Sequence, residues 1–254
     1  MSVEFKLGLP EGAKLTQSAG SLFHGLLMQH VDRDYGDFLH RQNLKPFSQY
    51  VFYDRQRQGM YWRIATLNIE AARELLQPAL VMPQVVRLEQ KNVELRILDR
   101  QVRESTDYGA LAEKYFADDV DATAVEYEFL TSCSFKTAGE YAIFPQPHLL
   151  LGSLVNKWNA FAEREKLSEE QLVRHLADEL YVYGYNLKLQ PYSVESVSIP
   201  AFRGTYTLHF KHNLMVKKII CMLADFARFS GVGIKASLGM GATSISLKQG
   251  GRRL

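Results

Sequence analysis

The chain opens with "VEFKLGL", in which Val3, Phe5, Leu7 and Leu9 alternate with other residues, and this period of two predicts a strand that stops at Pro10, Glu11 and Gly12. The stretch "SLFHGLLMQHVDRDYGDFLHRQ" then changes to helical spacing, with Leu22, Phe23, Leu26 and Leu27 on one face, Ser18 or Ser21 as the cap, and Gly36 expected to break it into two helices. "SQYVFYD" and "MYWRIATL" are β-rich runs joined by the polar "RQRQG", a hairpin pattern. "NIEAARELLQPAL" predicts a short helix with Asn68 at its cap and Pro78 near its end, and "VVRLEQKNVELRILDRQVRE" supplies more strand.

Strand, helix, strand, strand, helix, strand is the split βαβ order of a ferredoxin-like unit. The polar "DYGALAEKYFADDVDA" reads as a linker, after which the order restarts with the strand "AVEYEFLTSCSFK" and the helices "LLLGSLVNKWNAFAERE" and "SEEQLVRHLADELY". The strands "YNLKLQPYSVES" and "AFRGTYTLHFK", the helix "NLMVKKIICMLADFARF" and a last strand "ATSISLK" complete it. The expected fold is therefore α+β, two tandem ferredoxin-like (βαββαβ) domains over residues 1–117 and 118–254, with one larger α+β domain as the alternative.

The length of 254 residues and 46% hydrophobic content are enough for a substantial core. A formal charge of +2 is too mild to announce a nucleic-acid partner, so any basic surface has to come from local arrangement. Cys133 and Cys221 lie far apart without metal-ligand spacing and read as reduced core residues. His148, His175, His209 and His212 also lack ligand spacing and are treated as surface or structural, so neither metal nor cofactor is expected. No apolar run reaches bilayer length and no signal sequence is visible, which leads to the expectation of a cytoplasmic protein without a membrane partner.

Behind the last helix stands "GVGIKASLGMG", with glycines at 231, 233, 239 and 241. Glycine permits positive φ and close backbone approach, and successive amides can then form a nest for an anion. A mononucleotide loop needs a strand before it and a helix after; here the order is reversed and Lys235 is in the middle, which excludes a Walker-type site and a dinucleotide fingerprint. A tight connection explains the glycines as well. Arg228 before the loop, and Lys235 and Ser237 within it, suit the phosphate chain of RNA. Phe229, Tyr206 and Phe202 are candidates for stacking on unpaired bases, with core packing an equal explanation.

The loop, together with "LFHGLL", "FLHRQNLKPFSQYVFY" and the doubled ferredoxin-like order, resembles the CRISPR-associated endoribonucleases of the repeat-associated mysterious protein (RAMP) superfamily, most closely the type III forms of Gram-positive bacteria. The resemblance runs from near residue 3 to near residue 247. It implies metal-independent cleavage of CRISPR repeat RNA in precursor transcripts, in which the ribose 2′-hydroxyl attacks the adjacent phosphate to give a 2′,3′-cyclic phosphate and a 5′-hydroxyl. It implies the Gly-loop residues Arg228, Gly231, Gly233, Lys235, Ser237, Gly239 and Gly241 as RNA contacts. A homodimer and hand-over to a type III effector complex are left open, and a non-catalytic RNA-binding subunit of such a complex is the alternative function.

That reaction needs a base, an acid and positive charge at the phosphorane. By the resemblance, His40 matches the catalytic histidine and Lys45 the charge-stabilising lysine, with Pro46 holding Lys45 out of helical geometry. Some relatives carry a tyrosine on the first helix where this chain has Met28. The second proton-transfer group is therefore open among His24, His30 and Tyr35, with His24 and Tyr35 weighted equally.

Overall fold

The computed structural model describes residues 1–13, 15–164, 166–167, 170–194 and 197–249. In the first half β1 (Ser2–Gly8), β2 (Phe47–Asp54), β3 (Gly59–Thr66), β4 (Val85–Leu88) and β5 (Val93–Glu104) form one antiparallel sheet in the order β2-β3-β1-β5-β4. Without β4, which only adds a hairpin at the edge, the order is that of a ferredoxin-like unit. The alternation in β1 sets its face: Val3, Phe5 and Leu7 are buried, and Phe5 and Phe23 both pack against Trp62 with ring centroids 5.1 and 5.0 Å away.

The helical stretch after β1 divides into α1 (Gly20–Met28) and α2 (Arg33–Arg41), but the break is not at Gly36, which lies inside α2. Asp32 makes the new start, its carboxylate accepting from the amides of Asp34 and Tyr35. Neither Ser18 nor Ser21 caps α1; a 3₁₀ turn over Gln17–Ala19 leads into it, and the Ser21 hydroxyl donates to the Ser18 carbonyl. Further along, α3 (Ile69–Ala71), a π turn (Ala72–Leu76) and α4 (Gln77–Val81) form one helical run, started by Asn68, whose side chain accepts from the Ala71 amide at 2.8 Å.

The expected linker is instead a helix, α5 (Tyr108–Phe116). Asp107 caps it by accepting from the Ala110 amide, and Leu111 and Tyr115, four residues apart on one face, enter the core of the second half. Two apolar positions among many polar ones suffice for a helix that needs only a narrow buried stripe.

The second half contains β6 (Ala124–Cys133), the hairpin β7 (Phe135–Thr137) and β8 (Glu140–Ala142), α6 (Pro147–Phe161) and α7 (Glu170–Asp178). There follow β9 (Leu180–Leu189), the hairpin β10 (Tyr192–Val194) and β11 (Val197–Ile199), β12 (Phe202–Phe210), α8 (Leu214–Ser230) and β13 (Thr243–Lys248). Its main sheet has the order β13-β6-β12-β9, again ferredoxin-like. Phe202, Tyr206 and Phe229 are buried at 1%, 0% and 5% exposure, so they are core residues and the option of base stacking on them is closed.

α8 joins the halves. Ile220, Leu223 and Phe226 lie in the second core, while at its end the Ser48 hydroxyl of β2 donates to the Phe229 carbonyl at 2.5 Å. Beside it the buried Asp225 carboxylate accepts from Lys114, Tyr115 and Arg228 at 2.6, 3.0 and 2.8 Å, and Arg228 also bonds Glu104 of β5. Burial opposes the charge on Asp225, but the hydrogen bonds from Lys114 and Arg228 outweigh it and hold its pKa below the ordinary carboxylate value. Among the described residues no helix is long and apolar enough to cross a membrane.

Candidate functional site

The Gly loop is built into the molecule rather than draped on it. Gly231, Gly233, Gly239 and Gly241 all have positive φ. Their amides donate inwards: Gly231 to Ala227, Gly233 to the Ser153 hydroxyl, Gly239 to Ala236 and Gly241 to Ser132. These four amides are therefore not the anion-binding nest that the sequence suggested; the glycines serve close packing. A Cβ on Gly241 would sit 1.8 Å from the Val232 carbonyl oxygen. Gly239 meets Gly20 at the start of α1 so tightly that a Cβ on either would come within 2.6 Å of the Tyr192 hydroxyl.

Three residues that the sequence reading missed fasten the loop, two of them at this contact. Gln49, buried in β2, donates to the carbonyls of Gly20 and Ser237 at 2.7 and 2.9 Å and accepts from Trp62 Nε1. The Tyr192 hydroxyl lies 2.6 Å from the Leu238 carbonyl and 3.0 Å from that of Gln17, which share its one proton. Lys157, buried in α6, donates to Ser230 and Gly231 at 3.3 and 2.9 Å, and burial holds its pKa down to about 8. Gln49 left a sequence signal, a polar residue at the inward phase between Phe47 and Val51.

The docking of α1 on the loop brings His24 beside the Ser237 carbonyl and within electrostatic reach of His40 and Lys45. Burial is the main cause that lowers its pKa to about 4; the positive charges of His40 and Lys45 lower it further, while the Ser237 carbonyl acts the other way. Its ring lies parallel to Phe47, and Nδ1 is buried with no hydrogen-bond partner among the described residues. His40 stands exposed near the end of α2. Lys45 reaches back to that end, donating to the carbonyls of Leu39, of Gln42 at 2.5 Å and of His40 at 3.4 Å. A cation there also suits the negative end of the helix dipole.

The other candidates divide. Tyr35 is buried among first-half core residues, and burial, helped by the carboxylates of Glu70 and Glu74, pushes its pKa up to about 12; it points into the core rather than toward His24 and Lys45. Met28 also packs against that core, and His30 Nδ1 shares a hydrogen bond with the Leu26 carbonyl. Arg228 is held by Asp225 and Glu104. Lys235 is exposed in left-handed geometry ahead of a 3₁₀ turn over Ala236–Leu238, and Ser237 is buried. Among the described residues no group of three or more His, Cys, Asp or Glu side chains is placed to hold a metal ion.

Two ferredoxin-like halves, with a packed glycine loop leading into the last strand and His24 beside it, define a protein of the RAMP-like fold. A sequence model of the family "CRISPR-associated endoribonuclease Cas6" matches residues 127–243. A CRISPR-associated endoribonuclease Cas6 of Streptococcus thermophilus is 30% identical over 227 residues, covering 88% of this chain and 89% of the relative. One of Mycobacterium tuberculosis (strain CDC 1551 / Oshkosh) is 29% identical, covering 89% and 71%. Among solved structures, a Cas6 product complex superposes with a TM-score of 0.79 at 23% identity over 96% of this chain and 99% of the other. Thermus thermophilus Cas6 gives 0.73 at 22% identity over 96% and 97%, which shows a shared fold. The chain belongs to the Cas6 family of CRISPR-associated endoribonucleases.

Proposed function

We propose that the protein cuts CRISPR repeat RNA in precursor transcripts without a metal ion, leaving a 2′,3′-cyclic phosphate and a 5′-hydroxyl. The observation that carries the reading is the position of His24, at the Ser237 carbonyl of the loop and within electrostatic reach of His40 and Lys45 at the end of α2. Two imidazoles can divide the proton transfers at a scissile phosphate, and cations can stabilise the phosphorane. His24, neutral at physiological pH, accepts the proton of the 2′-hydroxyl; the arriving phosphate charge raises its affinity for that proton. His40, exposed beside it, protonates the leaving 5′-oxygen. Lys45 fixes the end of α2 under His40 and supplies positive charge, and Lys235 takes a neighbouring phosphate. Residues 1–117 and 118–254 form the two sides of the RNA path.

Product-end analysis tests this with labelled repeat RNA, wild type and His40→Ala, in EDTA. Wild type should yield cyclic phosphate at an undiminished rate, and His40→Ala should slow single-turnover cleavage roughly 10²-fold with RNA binding retained. RNA bound but left whole by the wild type would instead indicate a non-catalytic RNA-binding subunit. A substrate with a 5′-thio leaving group, which needs no protonation, should restore the His40→Ala rate; no rescue would refute the acid role.

A further inference from the structure

The open face of the second sheet carries three rings that the cleavage site does not use. β9 is an edge strand, and its pairing with β12 shifts between Thr207 and Leu208: Val182 opposes Leu208 and Gly184 opposes Thr207, which leaves Tyr183 as the extra residue of a bulge. A bulge re-aims its side chain. Here it lays the Tyr183 ring on His209, with centroids 4.1 Å and planes 22° apart. Tyr181 opposes His209 in register, shares a 3.0 Å hydrogen bond between its hydroxyl and Nδ1, and has its ring centroid 5.3 Å away. Tyr181 is 47% exposed and Tyr183 67%, on the face opposite buried Tyr206 and Leu208, so core packing does not account for them.

Further along the same face Gly184, Asn186 and Lys188 oppose Thr207, Thr205 and Arg203, and Lys188 and Arg203 are both exposed. The ribbon thus runs from two cations, past hydroxyl and amide groups, to three contiguous rings. The carboxylates on neighbouring β6 are engaged: Glu126 with Lys248 at 2.8 Å and with the Thr207 hydroxyl, Glu128 with the Ser244 hydroxyl.

We propose that this ribbon is a second RNA subsite, which holds unpaired nucleotides of the transcript away from the linkage that is cut. Bases stack on Tyr183 and Tyr181, and phosphates meet Lys188 and Arg203. Aromatic faces beside cations are the chemistry of single-stranded RNA binding. A protein strand added to this edge would meet the bulge and Lys188, two features that discourage strand addition. The proposal rests on the RNA-cleaving reading for its ligand but places it elsewhere on the molecule.

The test compares wild type, Tyr181→Ala/Tyr183→Ala and Lys188→Ala/Arg203→Ala for binding of repeat RNA carrying unpaired flanks and of an oligouridylate of about 10 nucleotides. The tyrosine variant should bind the oligouridylate roughly tenfold or more weakly, and the cation variant should show a shallower salt dependence, with cleavage at saturating RNA unchanged in both. Unchanged affinity for both RNAs in the tyrosine variant overturns the proposal; so does unchanged affinity with an altered sedimentation state, which assigns the face to protein contact. A wild type that binds the oligouridylate but does not cut repeat RNA sinks the nuclease reading and leaves the subsite standing.

Discussion

The imidazole of His24 lies parallel to the ring of Phe47, with planes 1° and centroids 5.9 Å apart, so the residue two places after Lys45 forms one wall around a histidine on α1. That enclosure keeps the histidine neutral. In the unfolded chain it takes up a proton near pH 6.5, in the folded protein only near 4. Between these values the unfolded state binds more protons, so stability is complete above pH 6.5 and declines as the pH falls through the window, by about 3 kcal/mol at most. Urea unfolding at pH 7 and pH 4.5 should show a smaller loss in His24→Gln than in wild type; equal losses would mean that the ring is not enclosed.

The glycines separate into two kinds. Gly241 has φ +66° and no room for a Cβ, so Gly241→Ala should cost more than about 3 kcal/mol and shift the loop under Ser237. Gly25 and Gly36 lie within helices with open space around them, so Gly25→Ala and Gly36→Ala should each raise stability by roughly 0.5–1 kcal/mol. Thermal melting of the three variants checks both signs.

This contrast also shows what the sequence made legible. Alternation in β1, β2 and β3 and the helical period before α8 were sufficient for both ferredoxin-like halves, because sheet and helix faces repeat along the chain. The helix α5 was hidden because its buried stripe consists of little more than Leu111 and Tyr115. Gly36 misled because a glycine is tolerated in a helix that Asp32 has already started. At the site, His40 and Lys45 stood out only through the resemblance, and nothing in spacing separates His24 from Tyr35. What separates them is packing: Tyr35 faces the first core, whereas His24 faces a loop more than 200 residues away, and no local pattern reports a contact of that range.

Gln49 ties that long-range contact, since it bonds one carbonyl at the start of α1 and one in the Gly loop. Gln49→Leu keeps the volume but leaves the buried Trp62 indole N–H without its acceptor and takes a donor from the Gly20 and Ser237 carbonyls, of which the second keeps His24, at about 1–3 kcal/mol for a group left unsatisfied. Chemical denaturation should find this loss, and single-turnover cleavage should fall more than RNA affinity, because His24 is displaced from His40 rather than RNA from the surface. An equal fall in both would mean that Gln49 supports the fold alone.

Lys157 gives the loop an alkaline signature. The residue is 6% exposed, and the folded protein releases its proton near pH 8, whereas the unfolded chain holds it to about 10.5. Above pH 8 the unfolded state therefore binds more protons at this site, and stability gains with rising pH. Cys133, whose thiol is pushed up from 9 by burial, acts in the opposite direction, but only once the unfolded thiol ionises near pH 9. From pH 8 to 9 the lysine dominates this pair. In Lys157→Met the Gly231 carbonyl keeps the Ser230 hydroxyl as a donor and the buried charge is gone, so neutral-pH stability should change by less than about 2 kcal/mol. The melting temperature of wild type, measured relative to that of the variant, should rise between pH 7.5 and 9; a flat difference would show that Lys157 keeps its proton throughout and holds the loop as a permanent cation.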